Sequence, residues 1–222
     1  MKILTTSELY DLTQTLAGEF LAKTVYPFEI LKDIKTIITT LGPTLDPEKY
    51  HKAGEDIWIA NSAKVAPTAY IAGPCIIGEN TEVRHCAFIR GSALIGDGCV
   101  VGNSTELKNV ILFNKVQVPH YNYVGDSVLG FMAHMGAASI TSNVKSDKTL
   151  VVIKSDEEKI ETGLKKVGAF LGDRAEIGCG SVLNPGTVIG RGASVYPLSS
   201  VRGSVPQNGI YKKQGEIAIR HE

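Results

Sequence analysis

The chain has 222 residues, enough for one sizeable core and a small accessory segment. Its 23 basic residues balance 23 acidic ones, so no global field favours nucleic acid or an anionic membrane, and anion recognition has to come from a local cluster. No apolar run approaches the ~20 residues of a membrane-spanning helix, and the opening residues do not have the pattern of a signal peptide. Cys75, Cys86, Cys99 and Cys179 form no CxxC pair and no metal-type spacing, and Cys75 and Cys99 fall at small-residue positions of a six-residue repeat. These features predict a cytoplasmic protein with reduced thiols and with neither nucleic acid nor membrane as partner.

In chain order, residues 1–50 form a helical segment. Leu9, Leu12, Leu16 and Phe20 lie at helical spacing with Ser7 as N-cap, and Ile30, Ile34, Ile37, Ile38 and Leu41 repeat the pattern before Gly42-Pro43 ends it. Two short amphipathic helices are expected, packing on or capping the rest of the chain, with a linker over 45–56. From there a six-residue period takes over. Ile59, Val65, Ile71, Ile77, Val83, Ile89, Ile95, Val101 and Leu107 recur every six positions, and Ala63, Ala69, Cys75, Thr81, Ala87, Ala93, Cys99 and Thr105 hold the small fifth place of each hexad.

That period matches neither the 3.6 of a helix nor the 2 of a lone strand. It fits short parallel strands joined by tight corners, three per turn: a mainly β, left-handed parallel β-helix spanning 51–206, with a C-terminal tail over 207–222. The aliphatic residues point inward, contributing about 1.5–3 kcal/mol each on burial, and glycine follows many of them (Gly78, Gly96, Gly102, Gly172, Gly178, Gly190), where a Cβ would hinder the backbone.

The pattern breaks over 109–125, returns at Leu129 and Met135, and breaks again over 144–167. It resumes through Leu171, Ile177, Leu183, Ile189, Val195 and Val201, with Ala175, Ser181, Thr187, Ala193 and Ser199 as small partners. Interruptions of a rigid scaffold protrude and carry function. The second reads as a strand-rich excursion with a charged turn. Around the first lie groups suited to acyl transfer onto an amine. An ammonium cannot attack a thioester until it loses a proton, and His120 is the natural base. Arg90 and Lys108 suit a phosphate, Tyr123 could orient it, and Glu106 could order a cation or accept a sugar hydroxyl.

The stretches GNSTELKN, VPHYNYVGDSVLG and MGAASITSN resemble the acetyltransferase half of the bifunctional glucosamine-1-phosphate acetyltransferase / N-acetylglucosamine-1-phosphate uridyltransferase family. That family's pattern reads approximately GNFVE-K-, H-x-x-Y-x-GD and IGAGTIT-N. The resemblance spans about 59–205 and is strongest over 90–143. It is nearest the branch reading VPH-NYVGDS before a longer excursion that ends in K-x-GA-x-x-GD, as 166–173 do here. It implies an acetyl-CoA-dependent N-acetyltransferase acting on an amino-sugar phosphate, most naturally glucosamine-1-phosphate for UDP-N-acetylglucosamine-type biosynthesis, with no metal needed for acyl transfer. By the same resemblance His120 is the general base, Arg90, Lys108 and Tyr123 bind the sugar phosphate, and Glu106 supports the sugar or the base. Asn143 contacts donor and sugar, Ala137 meets the thioester end of acetyl-CoA, and the assembly is a homotrimer with sites between neighbouring prisms. Lys212 and Lys213, with Arg220 and Arg202, are candidates for the coenzyme phosphates.

The sequence departs from the family at His134, where a substrate asparagine is usual, and at Val144, where an aromatic is. Lys145 and Lys148 both stand near the family's later substrate lysine. Nothing in 1–50 resembles the uridyltransferase's nucleotide loop. Another reading is a zinc hydratase using His51, His85, His120, His134 and His221, which lack the needed close pair. A non-catalytic trimeric scaffold or sugar-nucleotide binder, or transfer to a different amino acceptor, are further alternatives.

Overall fold

The computed structural model describes residues 2–213 and 216–219. Arg220 and His221 lie outside them. From Ile57 onward the chain winds as a three-sided parallel β-helix. Ile59, Ile77 and Ile95 register with one another on the first face, Val65, Val83 and Val101 on the second, and Ile71, Ile89 and Leu107 on the third. This is one coil per three hexads, as the period predicts. The columns continue through Leu112, Leu129, Leu171 and Ile189; through Val118, Met135, Ile177 and Val195; and through Val124, Thr141, Leu183 and Val201. Small polar residues at core corners donate to backbone carbonyls, Thr81 to Gly96 at 2.7 Å and Thr105 to Val118 at 2.9 Å, which satisfies these buried hydroxyls.

The glycines after the inward residues are required for space, not for unusual dihedrals. A Cβ on Gly102 would lie 1.6 Å from the Pro119 carbonyl oxygen of the next coil, and one on Gly96 2.7 Å from the Asn114 nitrogen. Successive coils are about 4.7–4.9 Å apart, which leaves no room for a methyl group.

Neither interruption removes a coil. Residues 109–125 do not protrude: Val110, Ile111, Leu112, Phe113, Val116 and Val118 are buried, and Glu106–Leu112 runs straight through a corner in register with Tyr123–Leu129. Leu112 follows Leu107 by five positions where the repeat takes six, and this shortened step is what breaks the sequence pattern. The second interruption is inserted at a corner between Thr141 on the third face and Leu171 on the first. It carries an antiparallel hairpin, Val152–Lys154 with Lys159–Glu161, whose Val151 and Ile153 are buried.

The first expected helix is broken into Thr6–Leu9, a 3-10 turn Leu12–Gln14, and Gly18–Leu21. Its cap is Thr5, whose N–H donates to Glu8 at 2.7 Å, rather than Ser7. Tertiary bonds explain the break. Asp173 N donates to the Leu9 oxygen at 3.0 Å, the Asp11 N–H donates to Asp173 at 2.7 Å, and Asn114 N donates to the Gln14 oxygen at 2.9 Å. The segment is thus zipped to one corner of the prism. The second helix forms as Ile34–Leu41, preceded by the 3-10 turn Pro27–Lys32. The linker contains a strand, Tyr50–Gly54, pairing antiparallel with Ile57–Ala60.

The helical segment has a specific target. On the first face the outward residues Ile76, Leu94, Ile111, Val128 and Phe170 are apolar and fully buried. Helix Ile34–Leu41 packs against the upper strands of that face, turn Pro27–Lys32 contacts Tyr123–Leu129, and the hairpin packs on Thr187–Ile189. The first face therefore has a second apolar layer, leaving the other two faces uncovered by the chain's own described segments.

Replacing Gly102 by alanine is expected to lower the melting temperature sharply or to leave the protein insoluble, because the Pro119 backbone cannot move without its coil. Gly163→Ala, at a φ of +69° with nothing within 4 Å of the new Cβ, should cost only about 1–2 kcal/mol. Thermal denaturation of the two variants side by side checks this.

Candidate active site

The sequence-predicted residues divide between two edges of the third face. At the edge shared with the first face stands a polar cluster. Lys108 Nζ contacts both oxygens of Asp126, at 3.1 and 3.2 Å, and the amides of Asn109 and Asn143 donate to the same carboxylate at 3.0 and 2.6 Å. Asn143 Nδ2 also lies 3.1 Å from Tyr123 Oη. With its oxygen accepting from the amide, the phenol keeps its own proton for donation outward. Burial raises the Tyr123 phenol above its ordinary value, opposed by the Asn143 hydrogen bond and reinforced by Asp126 and Glu106; the group is neutral near pH 7. Arg90 Nη1 donates to Glu106 Oε1 at 2.7 Å beside it, because Glu106 registers with Phe88 and with Tyr123 on adjacent coils.

Asp126 is the residue that sequence reasoning missed. It is 4% exposed and binds Lys108, Asn109 and Asn143 together. Its one sequence signal is the aspartate of the VGDS stretch. The cluster is electrically balanced, two cations against two carboxylates. Each cation keeps donors free all the same: Arg90 uses one of five, and Lys108, with both Asp126 oxygens in range, keeps at least one of three. The Asn109 amide also reaches the Leu31 oxygen at 3.1 Å, tying the helical segment to the cluster.

His120 sits at the other edge, the corner between the second and third faces. Its ring is exposed and makes no hydrogen bond among the described residues. Its backbone is well fixed. The His120 N–H donates to Asn122 Oδ1 at 3.1 Å, and buried Asn122 donates to the Gly136 and Ser139 oxygens at 2.9 and 3.1 Å. One coil along, Ala138 N donates to the His120 oxygen at 3.0 Å, and Gly180 N to the Ala137 oxygen at 2.8 Å. His120, Ala137 and Cys179 therefore stack on one corner. The Ala137 N–H has no acceptor among the described residues, so a preorganised donor lies one coil from the imidazole.

His134 is not brought to either group within the chain. It lies on the second face opposite Gln117, with Nδ1 2.8 Å from Glu176 Oε2, in a groove lined also by Lys115 and Met132. His51 pairs with Asn61 and His85 with Thr68, at 2.9 and 2.6 Å, so the described histidines do not converge. Lys212 and Lys213 end the strand Gly209–Lys213, on the second face's column, and approach Glu216 at 3.8 and 3.0 Å. Arg202 and Lys145 lie together elsewhere, beside the hairpin. Cys75 and Cys99 are buried, with thiols pushed up to about 12 by burial, whereas Cys86 and Cys179 are exposed; all four are free.

A family model described as the GMPPB C-terminal domain matches residues 71–161. A bifunctional sugar-1-phosphate nucleotidylyltransferase/acetyltransferase of Sulfurisphaera tokodaii is 30% identical over 105 residues, 47% of this chain and 26% of that protein. The bifunctional protein GlmU of Methanococcus aeolicus is 30% identical over 51% of this chain and 27% of its own length. The chain thus matches about a quarter of the length of these relatives. An uncharacterised putative acetyltransferase, YaiX, of Escherichia coli is 32% identical over 50% of this chain and 47% of its own. Among solved structures, a perosamine N-acetyltransferase mutant from Caulobacter crescentus, in complex with CoA and GDP-perosamine, matches at 20% identity, over 75% of this chain and 57% of that one, with a TM-score of 0.39. The resemblance read from the motifs, to the acetyltransferase part of bifunctional sugar-phosphate enzymes, holds over about half the chain.

Asp126→Ala removes the shared acceptor of three donors and leaves Lys108, 27% exposed, without its carboxylate. The expected loss is about 2–3 kcal/mol of unfolding free energy, near the lower end for a broken buried pair because Lys108 retains some solvent. Asp126→Asn, which keeps one acceptor, should lose less. Denaturant titration of both variants is the measurement, and equal stability of Asp126→Ala and parent would contradict the cluster.

Proposed function

We propose that the chain is an acetyl-CoA-dependent N-acetyltransferase whose acceptor is an amino-sugar phosphate, with glucosamine-1-phosphate as the first choice. The observation that carries this reading is the corner stack: an exposed imidazole, His120, one coil from the unpaired Ala137 N–H, on the face that also bears Arg90, Lys108 and Tyr123. The β-helix unit over 51–206 would hold this chemistry, with 1–50 and 207–222 in support.

In this mechanism His120 takes a proton from the acceptor ammonium, and the free amine attacks the thioester carbonyl. The carbon–sulfur bond breaks once the tetrahedral intermediate collapses, the coenzyme leaves as the thiol with a proton returned from the imidazolium, and the extra proton on the acylated nitrogen passes to solvent, leaving the neutral amide. Charge on the carbonyl oxygen develops within reach of backbone donors such as the Ala137 N–H. Arg90 and Lys108 offer their remaining donors to the sugar phosphate, and Tyr123 donates its phenolic proton. Because Glu106 and Asp126 already orient the two cations, little side-chain freedom is lost on binding. Asn143 would contact donor and sugar, and Lys212 and Lys213 stand farther down the His120 corner for the coenzyme phosphates.

A homotrimer belongs to the same reading. With the first face covered from within, association would use the other two, and the second face of one protomer would bring its His134–Glu176 pair toward the His120 edge of its neighbour. A solution mass of three chains is the expected result, and a monomer by light scattering would remove this part of the reading.

His120→Ala should lower turnover by about 10²–10⁴-fold while the melting temperature stays near that of the parent, since the ring makes no hydrogen bond among the described residues. Coenzyme release with acetyl-CoA and glucosamine-1-phosphate provides the assay. Arg90→Ala and Lys108→Ala should raise KM for phosphorylated acceptors more than for unphosphorylated glucosamine. Parent protein that acetylates both acceptors equally well would remove the phosphate assignment.

A further inference from the structure

Where the inserted hairpin meets the prism there is a cavity of about 150 Å³, lined by Lys145, Lys154, Asn184, Gly186, Arg202 and Gly203. It lies on the third-to-first corner, below the Asp126 cluster, because Thr141, Leu183 and Val201 stack in one column and Asn184 and Arg202 follow the last two. A single water needs roughly 10–15 Å³ of such space, so the cavity holds a group of several heavy atoms.

Its charge is one-sided. Lys145 is balanced by Asp147 at 3.3 Å and also bonds Thr149. Among the described residues, neither Lys154 nor Arg202 has a carboxylate in ion-pair range. The backbone N–H groups of Arg202 and Gly203 have no acceptor among the described residues either, since the third-face column ends at Val201 and offers no further coil. The hairpin wall is held firmly: Ser204 Oγ donates to the Lys154 oxygen at 3.1 Å, and Val151 packs 3.0 Å from the position a Cβ on Gly186 would take. Two uncompensated cations and two unpaired donors around a small, rigid, concave space are the complement of a compact dianion.

We propose that this cavity binds the diphosphate group of a nucleotide, with Lys154 and Arg202 as its cationic clamps. Two charges on the ligand match the two unpaired cations. Both a sugar nucleotide and coenzyme A carry such a group, and the cavity is separate from the His120 corner and from the Arg90–Lys108 pair. Occupancy requires no acyl transfer, so the proposal can fail while the acetyltransferase reading stands, and the reverse.

The test is calorimetric titration of the full chain with inorganic pyrophosphate, UDP and coenzyme A, comparing parent, Lys154→Ala, Arg202→Ala and Arg202→Lys, with circular dichroism and melting temperature to confirm folding. Pyrophosphate should bind the parent, more weakly as salt is raised. Each alanine variant should weaken binding about tenfold or more, and Arg202→Lys should restore part of it. If the alanine variants lose affinity for UDP but not coenzyme A, the ligand is a sugar nucleotide; the opposite pattern assigns the site to the coenzyme. Equal affinity of parent and alanine variants for both nucleotides overturns the proposal, as does a parent that binds no pyrophosphate at millimolar concentration.

Discussion

The structure depends on one constraint: each coil must hydrogen-bond to the next in register, at a spacing of about 4.7–4.9 Å, with its aliphatic residues stacked inside. The Gly102 position, where a methyl group would occupy the Pro119 carbonyl, shows how little slack this leaves. A coil cannot shift or tilt alone. Side chains placed at equivalent positions of successive coils are therefore held in fixed relation without needing contacts of their own. That is how His120 and Ala137, seventeen residues apart, share one corner, and how Glu106 comes to lie beside Tyr123.

A rigid stack also explains the electrostatics of the candidate site. Lys108 and Asp126 are on adjacent coils, and Arg90 and Glu106 are as well. Each cation is met by a carboxylate at a distance the scaffold sets, so the face carries charge without a net field. A ligand phosphate would enter an arrangement whose cations are already oriented, making use of donors the carboxylates leave free. The hairpin cavity on the same third-to-first corner differs in this respect, because its Lys154 and Arg202 lack acidic partners among the described residues.

The core is legible because a period of six has no other physical meaning, and the columns running from Ile59 and Val65 follow it residue by residue. Other features are less so, each for a physical reason. The helix expected through Leu9, Leu12, Leu16 and Phe20 gives way because Asp173 and Asn114 offer its backbone better partners than a helix would. The stretch 109–125 reads as a protruding break because one step is a residue short, yet its apolar residues are buried. The covering of the first face is written in the doublets Ile76-Ile77, Leu94-Ile95, Ile111-Leu112, Val128-Leu129 and Phe170-Leu171, whose outward members have no reason to be apolar unless something lies over them. Asp126 stands in the VGDS motif, but its role depends on three partners converging from 108, 109 and 143, which no linear spacing announces.

The hairpin shows what the stacking constraint permits. An insertion at a corner costs chain entropy, which grows slowly with loop length, but it leaves strand register intact: Leu129 still pairs with Leu171 on the next coil. An insertion within a strand would displace every hydrogen bond below it. The chain can therefore acquire a new wall only at an edge of the prism, and an edge is where side chains from two faces meet. Val151 and Ile153 anchor the hairpin by burial, which turns Lys154 from a solvated loop residue into part of a fixed surface. Added binding capacity at that edge is set by where the fold accepts extra residues, with no change to the coils that carry His120.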